Sequence, residues 1–237
     1  MFSLKSEANR SALAKSADAA SQMSRSQEFG FFIENLVRTE IHSLSPKTND
    51  TCVHDITAAE NSFDHEETQS IKTCKGNSID CGDVLRLFDY DHSKKHVMLI
   101  FQYEQTDTGR CIKRSVILKM NDEFHRILFG TATRSQIEEL VNYVKGVPKH
   151  GRTAEHQTTY KKMAGDLNKL SGGWISYAPK CDSTTQRRVQ CSIRNLNVFL
   201  KKYNKLLVES DIKGCEVRGR SMPADHPGFL SRVRNSK

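Results

Sequence analysis

Between Phe29 and His42 the apolar residues Phe29, Phe32, Ile33, Leu36, Val37 and Ile41 recur at helical spacing, which predicts a helix with one buried face. Glu34 and Arg38 lie one turn apart, off that stripe. Two roles are open for Glu34: a surface ion pair worth a few tenths of a kcal/mol, or a functional carboxylate. Ser43 to Thr51 reads as a polar loop, with Pro46 and Asn49-Asp50 as turn formers, and Cys52 to Ile56 as a short strand. An acidic connection over Asn61 to Glu67 leads into a strand over Thr68 to Thr73, and Lys75-Gly76-Asn77 reads as a turn.

Over Ile79 to Tyr90 strand and helix compete. His96 to Glu104 is the clearest buried strand, and Cys111 to Lys119 pairs with it across a hairpin at Thr106 to Arg110. Helices are expected over Ser135 to Lys145, capped by Thr133 or Ser135, and over His156 to Leu170, ended by Gly172-Gly173. Between them Pro148 to Thr153 is a basic loop. Trp174 to Pro179 and Arg188 to Ile193 read as strands, and Asn195 to Leu207 leans helical. The expected class is α/β (α+β): a mixed central sheet of about four or five strands, flanked by helices. Residues 1–27 read as an arm or weak helix, 28–207 as one domain, and 208–237 as a basic, loosely ordered tail.

Charge narrows the partners. Thirty-six Lys and Arg against twenty-eight Asp and Glu give a net charge of +8, which favours a polyanion such as nucleic acid over a neutral partner. The seven cysteines form no Cys-x-x-Cys pair, so reduced thiols in an intracellular, cytoplasmic setting are expected rather than a zinc ribbon or a disulfide frame. No apolar run reaches the ~20 residues of a membrane helix, and no signal-peptide pattern is read. A nucleotide-triphosphate motor is excluded by the lack of a Gly-x-x-x-x-Gly-Lys-Ser/Thr loop.

The stretch with the most chemistry runs from His54-Asp55-Ile56 to Ser70-Ile71-Lys72-Thr73. Alternation puts Ser70 and Lys72 on one face of a strand and Ile71 on the other. Phosphodiester cleavage needs carboxylates to hold a hard divalent cation, which activates water and offsets phosphate charge. A lysine beside that cation orients or deprotonates the water, or stabilises developing charge. A helix with a carboxylate, then a strand with an Asp, then a strand with x-Ile-Lys is an order suited to that task.

On these residues the chain resembles the PD-(D/E)XK nuclease superfamily, which contains many type II restriction endonucleases. The resemblance implies that Asp55 is the principal metal ligand, Lys72 the catalytic lysine and Glu34 an accessory carboxylate. It also implies that the Ile71 carbonyl completes the coordination and that Mg²⁺ is the cofactor. Ser70 stands where such enzymes carry an acid, so Glu34, Glu67 or another acid must replace it, or the site is impaired. Asp64 is a rival to Asp55, although Val53 and Ile56 give Asp55 the better strand context.

A second informative stretch is Gln186-Arg187-Arg188-Val189-Gln190, with Lys180, Asp182 and Ser183 just before it. Arg can grip guanine O6 and N7, and Gln adenine N6 and N7; the same residues can also contact phosphates alone. Gln186, Arg188 and Gln190 point one way and Arg187 the other. With Cys81-Gly82-Asp83-Val84-Leu85-Arg86, this stretch looks like what restriction-type nucleases carry. The expected activity is therefore Mg²⁺-dependent, sequence-specific cleavage of double-stranded DNA. A homodimer suits a palindromic target, and a companion methyltransferase is a possible partner. The alternatives are a DNA-binding module that lost an active-site acid, and an RNA-directed nuclease, which the lack of aromatics among the basic stretches disfavours.

Overall fold

The computed structural model describes residues 25–47, 54–148, 152–181, 187–213 and 215–229. Helix α1 (Arg25–Leu36) runs into a π-helical turn, Val37–Ile41, and a 3-10 turn covers Ala58–Glu60. Strands β1 (Thr68–Cys74) and β2 (Ser78–Asp83) lead to the short helix α2 (Val84–Phe88). The hairpin of β3 (His96–Gln105) and β4 (Gly109–Lys119) is followed by helices α3 (Asp122–Phe129), α4 (Arg134–Gly146) and α5 (Ala154–Leu170). Then come β5 (Ile175–Lys180), β6 (Arg188–Arg194), α6 (Leu196–Lys202) and a 3-10 turn over Asn204–Leu206. Strands β7 (Leu207–Lys213), β8 (Glu216–Val217), β9 (Arg220–Ser221) and β10 (Asp225–Pro227) complete the described chain.

The fold is α+β with a mixed sheet. The main sheet has the order β1-β3-β4-β10, with β7 also on β4. β1 lies parallel to β3, and the remaining pairs are antiparallel. A separate three-stranded sheet has the order β2-β6-β5, so the expected single sheet is divided in two. Strand β3 is apolar almost throughout because both faces are covered. Met98 and Ile100 join the core with α3 to α6 and the second sheet, while Val97, Leu99, Phe101 and Tyr103 join the core under α1. Phe29, Ile33 and Val37 of α1 and its π turn are fully buried there, each contributing about 2 kcal/mol.

Several expectations are corrected. The segment 208–229 is not a loose tail: β7 and β10 share the outer edge of β4, so the domain does not stop at 207. The strand expected over Cys52–Ile56 is reduced, in its described part, to one bridge between Ile56 and Gln69. Cys52, Asp182, Ser183 and Gln186 lie outside the described residues, as does the arm up to residue 24. Over Ile79–Tyr90 strand and helix both occur, in succession, as β2 and α2. Thr133 rather than Ser135 caps α4, its hydroxyl accepting from the Gln136 amide. The six described cysteines are free thiols. Among the described residues no helix is long and apolar enough to cross a membrane.

Candidate active site

β1 is an edge strand, with one side paired to β3 and the other open beyond the single Ile56–Gln69 bridge. Around that open edge lies a cleft of about 460 Å³. Its walls come from α1 (Gln27, Gly30, Phe31, Glu34), from His54-Asp55, from β1 (Ser70 to Thr73), and from β2 and α2 (Asp80 to Asp83, Arg86). Glu34, Asp55, Ser70, Ile71 and Lys72, spread over 39 residues of sequence, therefore meet in one place.

Asp55 is fixed from several directions. Its amide and that of Ile56 donate to the Gln69 carbonyl at 3.0 and 3.1 Å, and the Gln69 amide donates back to Ile56 at 2.9 Å. The unpaired Ile71 amide on the open edge donates to Asp55 Oδ2 at 2.6 Å. Arg38 Nη1 donates to the Asp55 carbonyl at 3.1 Å and Lys47 Nζ at 3.4 Å. Lys72 Nζ stands 3.7 Å from Asp55 Oδ2 and donates to the Ile71 carbonyl at 3.0 Å. Asp55, the Ile71 carbonyl and Lys72 thus form one contiguous group at the strand edge.

Glu34 does not pair with Arg38. Arg38 is buried and turns to Glu60 at 2.8 Å, which, with donors from Thr57, holds the Glu60 carboxyl down at about 2. Glu34 is left on the cleft side of α1. Burial, and then the negative Asp55, push its carboxyl up to about 7, while Lys72 and Lys47 pull the other way. The π turn over Val37–Ile41 follows directly, a distortion often found beside functional sites.

Asp64 lies elsewhere. It forms a surface ion pair with Lys95 at 3.3 Å and does not line the cleft. Glu67 is not the replacement for an acid at Ser70: it is buried and bound to Asn61, Gln69 and Arg218, the last at 2.6 Å. Among the described residues no group of three or more His, Cys, Asp or Glu side chains is arranged to hold a metal ion. The oxygens offered beside Lys72 are the Glu34 and Asp55 carboxylates, the Ser70 hydroxyl and the Ile71 carbonyl.

Two further acids line the same cleft: Asp80, which sequence reasoning missed, and Asp83, which it noted only within the Cys81-to-Arg86 stretch and gave no role. Asp80 and Asp83 are three residues apart on β2, which in a regular strand puts them on opposite faces. A bulge between Asp80 and Gly82, with Gly82 at φ +83°, adds one residue and brings both to one face, opposite Ser192 and Gln190. Asp83 also caps α2, accepting from the Arg86 amide at 3.1 Å, and Asp80 accepts from the Gly82 amide at 2.8 Å. The only sequence signal was Asp-x-Gly-Asp at the point where strand and helix competed, and a bulge is not visible in a period.

On the far wall, His54 packs against His96 at 4.9 Å and Tyr90 at 5.6 Å between ring centres. Burial holds His96 down at about 3 and lowers His54, so both imidazoles are neutral at pH 7.

The second sheet carries the expected reading residues that are described. Gln190 lies opposite Asp83 on one side and Ala178 on the other, so the sheet face with Arg188 and Gln190 continues from the cleft wall. Lys180 and Arg188 are direct cross-strand partners on that face. Two like charges so placed repel, and neither has an ion-pair partner among the described residues. Arg187 points away, as alternation requires, and donates to the Lys145 carbonyl at the end of α4 at 3.5 Å.

Comparison with known proteins finds no family model, no curated protein and no solved structure that matches the chain.

Proposed function

We propose that the protein is a divalent-metal-dependent nuclease of the PD-(D/E)XK type that cleaves double-stranded DNA. The observation that carries this reading is the meeting of Asp55, Lys72, Glu34 and the Ile71 carbonyl at the open edge of β1. The donor set suits a hard cation such as Mg²⁺, which accepts one or two carboxylates and keeps waters and phosphate oxygens as its other ligands. Burial first, and then Asp55, raise Glu34, and a dication bound between the two carboxylates would offset both the burial and the repulsion. Asp55, Glu34 and the Ile71 carbonyl would hold the ion, which supplies water activation and charge neutralisation.

The chain's own residues do the rest. Lys72 Nζ, anchored on the Ile71 carbonyl, places a positive charge where a phosphate oxygen or the attacking water lies, and stabilises the charge that develops there. The Ile71 amide holds the Asp55 carboxylate and Arg38 holds its backbone carbonyl, which fixes Asp55 beside Lys72. Lys180 and Arg188 repel each other until a polyanion lies across them, and Gln190 extends that surface to the cleft. A palindromic target, a two-fold dimer, a methyltransferase partner and an intracellular site of action belong to the same reading.

A second reading is supported by Ser70. With Glu34 and Asp55 at Lys72, and Asp80 and Asp83 lining the cleft without forming a metal-holding group with them among the described residues, the chain would bind DNA without cutting it. Plasmid cleavage separates the two. Under the nuclease reading wild type cuts in Mg²⁺ and not in EDTA. Asp55→Ala and Lys72→Ala lose cutting but keep binding, and Asp64→Ala cuts normally. Tight, salt-sensitive binding with no cutting in Mg²⁺, Mn²⁺ or Co²⁺ establishes the binding module instead.

A further inference from the structure

Two neighbouring residues of α1 are left unexplained by packing. Gly30 sits in the interior of the helix, where glycine is weaker than alanine. Among the described residues, and outside its own helix, a Cβ there would meet only Thr73 Oγ1, at 3.9 Å, an ordinary contact. Nothing in the fold therefore requires a glycine. Phe31 is 45% exposed, and it is the one aromatic among the large apolar side chains that the described surface exposes. Its neighbours Phe29 and Phe32 pack their rings on Tyr103, His226 and Phe229, whereas Phe31 has no ring partner among the described residues. Both Gly30 and Phe31 line the cleft with Lys72 and Asp55.

We propose that Gly30 and Phe31 form a seat for one base of the substrate strand, unstacked from its neighbours beside the phosphate held at Lys72. A missing Cβ that the fold does not use lets a sugar-phosphate backbone approach the helix closely. An exposed ring one residue on offers a stacking face that every base can use. The cleft, at about 460 Å³, has room for one base beside the phosphate. Gln27, Gly30, Phe31 and Glu34 are one stripe of α1, so the seat and the candidate catalytic carboxylate move as one rigid unit. This inference rests on the nuclease reading and adds a local distortion of the DNA to it.

The test uses the full chain in Mg²⁺ and two ligands that contain no phosphodiester: thymidine 3′,5′-bisphosphate and the abasic deoxyribose 3,5-bisphosphate. Calorimetric titration should show wild type binding the thymidine compound about 5- to 100-fold more tightly than the abasic one. Phe31→Ala should remove that preference and leave abasic affinity unchanged, and Phe31→Trp should keep the preference. Gly30→Ala should weaken both ligands about tenfold while raising the melting temperature by about 2 °C. Equal wild-type affinity for the two compounds, equal losses on both in Phe31→Ala, or undiminished binding in Gly30→Ala each overturns the seat and leaves the nuclease reading standing. If wild type binds neither compound, the phosphate site fails and the seat falls with it. Phe31 is exposed, so its variants are expected to melt like wild type, and a melting curve verifies this.

Discussion

Replacing Glu34 by Gln should make the protein more stable at alkaline pH while abolishing the proposed cleavage. In the unfolded chain this carboxyl titrates at 4.5, and in the fold at about 7. Below 4.5 it is protonated in both states and contributes nothing. As pH rises through that window the unfolded chain gives up the proton and the native state keeps it, so stability falls with pH. The full penalty, reached above 7, is about 3 kcal/mol, and solvent reaching the half-buried carboxyl lowers this to about 1–2 kcal/mol. Urea unfolding in EDTA at pH 5 and pH 8 measures it. Glu34→Gln should lie within about 0.5 kcal/mol of wild type at pH 5 and exceed it by about 1–2 kcal/mol at pH 8. His54, His96 and His125, all lowered by burial, lose stability in the opposite direction, as pH falls below 6.5. They are common to both proteins and cancel in the difference. Mg²⁺ added at pH 8 should stabilise wild type more than the variant. A variant less stable than wild type at pH 8, or a difference that does not change with pH, would refute the claim that Glu34 is squeezed between burial and Asp55.

Two other outcomes follow from the same geometry. Arg38→Met strips Glu60 of its partner and Asp55 of a donor to its carbonyl, so it should cost about 3 kcal/mol in denaturant unfolding and reduce plasmid cleavage at least tenfold; an unchanged midpoint with full cleavage would show that Arg38 does not hold the Asp55 loop. Lys180→Glu with Arg188→Glu should weaken DNA binding and lower the slope of log affinity against log salt by about 2, with binding of thymidine 3′,5′-bisphosphate in the cleft untouched; an unchanged slope would remove that face from the DNA path.

The sequence alone determined most of the local elements. Apolar residues at 29, 33, 37 and 41 specify the buried face of α1 and its π turn, and the continuous apolar run at 97–101 specifies a strand covered on both sides. Thr133 or Ser135 and the Gly172-Gly173 pair mark helix ends through bonds spanning a few residues, with the structure choosing Thr133. These signals are short-range, so a linear pattern can hold them. Asp55 and Lys72 were also legible as a pair of residue types.

Only the tertiary structure decided which acids meet. Asp55 reaches the cleft because an edge-strand amide 16 residues later is free to bind it, whereas Asp64 is held outside by Lys95, 31 residues on. Glu34 is released to the cleft because Arg38 finds Glu60 22 residues away instead of its neighbour one turn back. Asp80 and Asp83 share a face only because pairing with β6 admits a bulge. Residues 207–213 and 225–227 are ordered as strands by the vacant edge of β4, roughly a hundred residues earlier, although the composition of that stretch reads as a basic tail. Each of these depends on a donor, an edge or an ion supplied from far along the chain, and periodicity carries no information about that distance.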